Sequence, residues 1–275
     1  MGIFSIPGLA KSASKQAAPS CANAGCRAKS SKKTAGVWLA KDWFCGLDCL
    51  EQSARKKIGE MMFTRQTQDR SPALRMPLGL LLVSRDILTH EQLKVALEQQ
   101  RAIGGNLGEI VQELGFANEQ QVTSAVAAQW ASPVFNLGDR PLPLQVRIPR
   151  PLLDQYAMLP VHYSSIGKQL MVGFVSRVQH HILSTIDQIA DCSAKPCFIT
   201  ASEFRRGLEH LNTIPPEDEV VFENPTATHE ISGLVRNYVK ELAAEKVRFG
   251  MSRDYFWARI VGRQEVDLLF RLHER

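Results

Sequence analysis

The sequence predicts an α+β chain of several units: a small cysteine knuckle, a tandem-repeat four-helix unit followed by a small α/β unit, and a C-terminal helix-plus-antiparallel-strand module. Three observations predict it. Leu, Gly and Gln recur at the same offsets 29 residues apart in the middle of the chain, four cysteines form two close pairs near the N-terminus, and apolar runs alternate with turn residues through the C-terminal half. A chain of 275 residues exceeds one average domain. Residues 1–18 read as a flexible arm, 19–55 as the knuckle, 56–74 as a basic linker, 75–137 as the helical repeat, 138–212 as the small α/β unit, 213–228 as a second linker and 229–275 as the terminal module.

The formal charge of +5 conceals an asymmetry, because residues 1–76 carry 13 Lys/Arg against 5 Asp/Glu while the other 199 residues carry 20 against 23. Such an excess suits an acidic partner, or simply a solvated arm, the simpler reading. No stretch reaches the roughly 18–20 apolar residues of a membrane span. The opening Met1-Gly2-Ile3-Phe4-Ser5-Ile6 has no basic n-region, and Ile6 stands where a myristoylation signal has Ser or Thr. The expectation is a soluble, cytoplasmic protein whose six cysteines stay reduced.

Four of those cysteines come first. Cys21 and Cys26 are separated by four residues, Cys45 and Cys49 by three, and 18 residues lie between the pairs. Two thiol pairs bridged by a short loop can wrap a tetrahedral Zn²⁺ and fold a segment too small for its own core. Gly25, Gly46 and the Ser/Lys-rich stretch 29–33 supply turns, and Val37, Trp38, Leu39, Trp43 and Phe44 an apolar cluster beside the metal. The string Trp43-Phe44-Cys45-Gly46-Leu47-Asp48-Cys49-Leu50 resembles the second half of TRASH/YHS-type zinc knuckles, although the first pair is more widely spaced. The alternative is four unrelated reduced cysteines. Cys192 and Cys197, with no second pair nearby, read as buried small hydrophobes. Gln52 to Ala73 is polar and basic and reads as linker, with a short helix from Leu50 through Phe63.

The repeat runs Pro77-Leu78-Gly79, Leu82, Ile87, Leu93, Gln100, then Asn106-Leu107-Gly108, Val111, Phe116, Val122, Gln129. Duplication at a fixed period marks a unit that buries its apolar face against its twin. Each copy predicts a short apolar helix (78–83; 107–114) and a second helix opened by a capping box, Thr89 with Gln92 and Asn118 with Gln121, running to Gln100 and Gln129. Leu93, Val95, Ala96 and Leu97 form one buried stripe; Val122, Ala125 and Val126 form the other. Gly79 and Gly108 open the first helix of each copy, where unpaired backbone N–H groups can receive an anion. Close helix packing explains a glycine there equally well.

The pattern Leu78-Gly79-x-x-Leu82, Ile87, Leu93-x-x-x-Leu97-x-x-Gln100, repeated after five residues, resembles the MshEN domain, the N-terminal domain of the ATPases of type II secretion and type IV pilus assembly in bacteria. The resemblance implies a cyclic-di-GMP site in which Leu78, Gly79, Leu82, Gln100, Leu107, Gly108, Val111 and Gln129 match the family motif. It departs where the family begins each copy with arginine: Pro77 and Asn106 stand there, and Asp86 replaces a glycine that Gly115 keeps. Two lost cations remove charge-assisted contacts of about 1.5–3 kcal/mol each. Arg75 and Arg101 are nearby but out of register. A purely structural repeat is the other reading, and the simpler one.

After the repeat, which ends over 130–137, the sequence predicts a short helix from Pro149, strands over Met158–Ser164 and Gln169–Val175 joined by a hairpin, a helix from His180 to Ala190, a strand through Cys197–Thr200 and a helix from Ala201 to Leu211. This order is similar to the rest of the same family domain, so the resemblance covers about residues 75–212. His180 and His181 have no partner at ligand spacing and read as surface helix residues. Thr213–Thr228 reads as a linker. An amphipathic helix follows, Ile231–Ala244, with Leu234, Val235, Tyr238 and Leu242 on one face, then strands Tyr255–Val261 and Val266–Leu272 and a further run Lys246–Phe249. This tail resembles the opening of the family's next domain, without its acidic and histidine signature.

Gly-x-x-x-x-Gly-Lys-Ser/Thr occurs nowhere in the sequence, and Gly167-Lys168 lacks its upstream glycine. Neither a nucleophile elbow nor HExxH appears. The expectation is a non-enzymatic accessory or regulatory protein binding a secretion or pilus component, with structural Zn²⁺ and with cyclic-di-GMP as a candidate ligand. The rival is nucleic-acid binding through the knuckle and Lys29, Lys32, Lys33, Arg55, Lys56 and Lys57.

Overall fold

A six-stranded mixed sheet separates two layers of apolar packing, and the strands that build it come from opposite ends of the chain. The computed structural model describes residues 19–26, 36–65, 75–214, 218–223 and 227–272. In order its elements are β1 (Val37–Leu39), β2 (Asp42–Phe44), α1 (Leu47–Arg65), α2 (Leu78–Ser84), α3 (His90–Ile103), α4 (Leu107–Glu113), α5 (Glu119–Gln129), α6 (Arg150–Gln155), β3 (Met158–Ser164), β4 (Gln169–Phe174), α7 (His180–Ala190), β5 (Ser193–Phe198), α8 (Ala201–Asn212), β6 (Glu219–Phe222), α9 (Thr228–Glu241), β7 (Lys246–Met251), β8 (Tyr255–Val261) and β9 (Glu265–Arg271). The large sheet runs β2-β1-β7-β8-β9-β6 and a smaller one β3-β4-β5.

The knuckle and the terminal module, expected as separate units, form one. β1 pairs antiparallel with β2 and parallel with β7, placing Trp38 beside Lys246 and Leu39 beside Val247. Leu50, Ala54 and Ile58 on α1 share a core with Ile231, Val235 and Val239 on α9 and with Val247, Phe256 and Phe270 of the sheet. The linker reading is therefore corrected over residues 52–65, and residues 66–73 lie outside the described residues. An i, i+4, i+8 apolar stripe amid Lys and Arg holds α1 as a helix to Arg65. Arg236 ties α9 to α1 through Asp48 at 2.7 Å and Glu51 at 3.4 Å. The second linker reading is corrected over β6, which lies parallel to β9 with Phe222 stacked on Phe270 at 4.8 Å between centroids, while residues 215–217 and 224–226 lie outside the described residues. On α9 the buried face is Ile231, Val235 and Val239, whereas Leu234, Tyr238 and Leu242 sit at its rim. Trp38 points to the outer face of β1 and is 40% exposed, so it is not part of the apolar cluster.

The helical repeat forms as the sequence predicts, with both capping boxes made in full. Val95 is the exception: it lies about 200° around α3 from Leu93 and is exposed. β3 and β4 form the expected hairpin, and α7 crosses over to β5, parallel to β4. β5 ends at Phe198 rather than Thr200, because Thr200 is recruited as the N-cap of α8. Repeat and α/β unit share one core, in which Leu82, Val111 and Val122 join Met158, Phe174 and Ile186. Glu119, in the first turn of α5, accepts the Ser202 N–H at 2.7 Å and its hydroxyl at 2.6 Å. Buried Glu203 accepts the N–H groups of Leu137 at 2.8 Å and Thr200 at 3.0 Å.

Strand β8 connects the layers. Tyr255 and Trp257 enter the core of the repeat layer, while Phe256, Ala258 and Ile260 enter the core under α1 and α9. Gly250 lets α7 close on β7, for a Cβ there would stand 2.6 Å from Thr185 Cγ2. On the same face Asp267, fully buried, accepts Trp257 Nε1 at 2.8 Å and Arg259 Nε and Nη2 at 2.8 and 2.9 Å. Arg147, from the connection between repeat and α6, lies 3.4 Å from the same carboxylate and reaches Asp218 at 2.9 Å.

Removing Asp267 would leave Arg259 only the partly exposed Glu265, at 3.4 Å, as counter-charge, so Asp267→Ala is expected to lower the urea-unfolding free energy by about 3 kcal/mol; a loss under about 1 kcal/mol would contradict the assignment. At Glu203 burial acts to raise the carboxyl, but hydrogen bonds from Thr200, Leu137 and Gly138 outweigh it and hold it below the usual carboxylate range. A carboxyl depressed in the folded state adds stability above its unfolded value and loses it as pH falls through the folded one. Glu203→Gln should thus cost about 1–3 kcal/mol near neutrality and progressively less in acid, as urea melts across pH would record.

Candidate metal centre and repeat surface

The first cysteine pair is brought to the second by backbone pairing. Ala22 N–H donates to Trp43 O at 2.8 Å, and Asn23 turns the chain by accepting Gly25 N–H at 3.0 Å on its side chain and Cys26 N–H at 2.9 Å on its carbonyl. The Asn23 amide then reaches Gln52 on α1 at 3.0 Å. Cys45 follows β2, and Cys49 lies in the first turn of α1, where helix N–H groups favour negative charge. Gly36 is dictated by close approach: a Cβ would come within 2.3 Å of the Trp43 ring.

All four sulfurs lie within 4.8 Å of one another, with Cys26 to Cys45 at 3.4 Å and Cys45 to Cys49 at 3.8 Å. Sulfurs around a tetrahedral Zn²⁺ at 2.3 Å stand about 3.8 Å apart, whereas a disulfide needs about 2.05 Å. The donor set therefore fits a divalent, thiophilic metal and forms no disulfide. Burial acts to raise the Cys21 thiol, yet backbone hydrogen bonds of Cys45 and Asn23 prevail and bring it down to about 7. Cys45 is pushed up to about 12 by its contact with Cys26 and by burial, and burial raises Cys49 as well. One thiolate forms readily, and further ones need a cation among them.

In the repeat, the two copies make reciprocal contacts. A Cβ on Gly79 would stand 2.5 Å from Leu93 and 3.1 Å from Leu107 of the other copy; one on Gly108 would stand 3.0 Å from Val122 and 3.6 Å from Leu78. Packing alone accounts for both glycines. Leu82 and Val111 are fully buried, so they support the surface without reaching it. Gln100 Nε2 donates to Gly105 O at 2.9 Å and Gln129 Nε2 to Met76 O at 2.7 Å, the carbonyls just ahead of the second and first copies. Each copy thereby caps the entrance of the other. Pro77 and Asn106 occupy the N-cap positions of α2 and α4 without a side-chain cap. Asp86 holds the left-handed turn at φ 55° that Gly115 makes at 69°. The Arg75 guanidinium lies 3.5 Å over the Trp130 ring, beside the Met76–Gln129 contact. Neither this stack nor the exchanged glutamine caps is visible in the motif, because both form between its flanks.

The other candidates fall apart as sites. His180 is exposed and His181 rests edge-on against Tyr156, its ring 5.4 Å away. Cys197 is buried and pushed up to about 12 by burial, and Cys192, half-buried, is pushed up to about 11. Lys29, Lys32 and Lys33 lie outside the described residues, while Arg55 and Lys56 approach Glu51 and Glu60 within their own helix at 3.6 and 3.9 Å.

Comparison with known proteins sets this geometry in context. The chain is 23% identical over 129 residues to the type IV pilus assembly ATPase PilB of Thermus thermophilus, a match covering 46% of the chain and 14% of that protein. The chain thus spans only a small part of its curated relative's length. Among solved structures, MshE with cdg aligns at 24% identity and TM-score 0.43 over 50% of this chain and 99% of that one. The N-terminal domain of XpsE aligns at 17% and TM-score 0.38 over 48% and 91%. No family model matches the chain. Among the described residues no helix is long and apolar enough to cross a membrane.

If the four sulfurs hold a metal, protein purified without chelators will carry one Zn²⁺ per chain by atomic emission. Cys26→Ser or Cys49→Ser should release it. Because α1 and the β1–β2 hairpin belong to the core under the large sheet, a chelator should also lower the melting temperature of the whole terminal unit. A metal content at background would refute the centre.

Proposed function

We propose that this protein is a non-enzymatic accessory or regulatory component of the type II secretion or type IV pilus kind, in which the MshEN-type unit docks a protein of that machinery. The observation that carries this reading is the similarity of 46% of the chain to a pilus assembly ATPase. In this reading residues 75–212 are the docking unit, and the two terminal segments together are its metal-braced platform, located in the cytoplasm with its Zn²⁺ on Cys21, Cys26, Cys45 and Cys49.

Cyclic-di-GMP is the ligand that MshE suggests, and Leu78, Gly79, Gln100, Leu107, Gly108 and Gln129 are the residues that would line its site, with Leu82 and Val111 beneath them. Here the leading cations are absent and both glutamine amides are engaged with carbonyls of the chain itself. We assign the repeat to protein docking, with dinucleotide affinity reduced by the missing contacts. The nucleic-acid reading gains no support from the described part of the basic segment, where Arg55 and Lys56 have acidic neighbours.

Calorimetry tests the assignment. The wild type should give no binding heat at about 100 μM cyclic-di-GMP, while Pro77→Arg/Asn106→Arg should gain about 10²- to 10⁴-fold in affinity from two charge-assisted contacts. Micromolar binding by the wild type, abolished in Gln100→Ala/Gln129→Ala, would instead make the repeat a second-messenger receptor.

A further inference from the structure

Among the described residues, strand β7 is paired along only half of its outer edge. Trp38 N–H donates to Glu245 O and Ala40 N–H to Val247 O, both at 2.9 Å, which fixes the odd-numbered residues of β7 as those whose backbone groups face β1. The β1–β2 hairpin then turns away at Ala40, where φ is 56°. Beyond it, Phe249 N–H, Phe249 C=O and Met251 N–H point to the same edge, and no described backbone continues the pairing. Met251 C=O is taken by the Thr185 hydroxyl at 2.6 Å. The even-numbered residues face β8 by alternation, and Ser252 N–H, next in that series, donates to Tyr255 O of β8 at 2.8 Å.

This open edge lies in a cleft of about 680 Å³, walled by α1 on one side and α7 on the other, with Phe249 and Met251 among its lining residues. An exposed strand edge is a template for another strand unless something blunts it. Main-chain pairing of this kind gives affinity, and flanking side chains give selectivity. The wall charges set the preference. Asp191 is engaged by Lys168 at 3.2 Å and Arg248 at 3.8 Å, Asp187 accepts the Ala194 N–H at 2.6 Å, and Glu60 has Lys56 at 3.9 Å. Lys41, at the hairpin tip, and Lys57, on α1, make no ion pair among the described residues, so the charge left to a ligand is positive.

We propose that the cleft between α1 and α7 receives an extended acidic peptide, which adds a strand to the open edge of β7. The site is distinct from the repeat surface and does not depend on the docking role given to that surface. Its ligand is recognised by backbone N–H and C=O groups first and by carboxylates meeting Lys41 and Lys57 second.

The test uses the full chain, loaded with Zn²⁺, and end-capped (Glu-Val)₃ as probe, followed by fluorescence polarisation and by amide hydrogen exchange in NMR. In the free protein the Phe249 and Met251 amides should exchange rapidly while those of Arg248 and Gly250 are protected. Saturating peptide should slow Phe249 and Met251 at least ten-fold. Methylating alternate backbone nitrogens of the probe should abolish binding, and Lys41→Glu/Lys57→Glu should weaken it at least ten-fold. (Lys-Val)₃ should bind far less well than (Glu-Val)₃. The proposal is overturned if the Phe249 amide is already protected without peptide, if the probe binds without slowing these two amides, or if it fails to bind at millimolar concentration.

Discussion

The parallel pairing of β1 with β7 is the contact on which the remaining architecture depends. It joins residues about two hundred positions apart, lays α1 against α9, and closes one core around side chains from both ends of the sequence. Without it the hairpin would have only its cysteines, and the strands β7 to β9 would lose the cover of one helix. Closing so long a loop costs entropy that rises only logarithmically with length, so a broad apolar interface can offset it. The cysteine cluster lies beside the same contact, with Cys45 just after β2 and Cys49 in the first turn of α1.

The large sheet works as a floor with two occupied faces. Alternation along β8 sends successive side chains to different cores, and the Arg259–Asp267 pair lies on the face turned to the repeat layer. Arg147 extends the pair into the connection beyond the repeat. A buried ion pair contributes less to net stability than to fixing which surfaces meet. Here Arg259 and Asp267 belong to neighbouring strands of the sheet, and Arg147 reaches them from the repeat side.

Local features of the sequence were legible wherever neighbouring residues alone decide the structure. Thr89 with Gln92 and Asn118 with Gln121 announce helix starts, and the 29-residue period locates the twinned helices. The four cysteines converge as their spacing requires. What escaped depends on distant partners. The stripe Leu50, Ala54, Ile58 is diluted by Lys and Arg on the remaining faces of α1, so composition reads as linker. β6 has four residues, too few for alternation to register, and is a strand only because β9 lies beside it. Val95 was misplaced because apolar character was read without its angle around the helix. At the repeat surface the motif showed which residues match a ligand site, but not that Gln100 and Gln129 spend their amides on the opposite copy.

The discontinuity of the terminal unit has a consequence for synthesis. The four cysteines and α1 leave the ribosome long before β7 to β9, whereas the repeat and its α/β extension follow as one continuous stretch whose core is completed by Tyr255, Trp257 and Leu269 of the later strands. The early segment must wait, its apolar helix face uncovered, until the last strands arrive. A metal ion captured at that stage would hold the hairpin and the helix start in register during the wait, making the thiol cluster an assembly jig for a sheet whose other half has yet to be made.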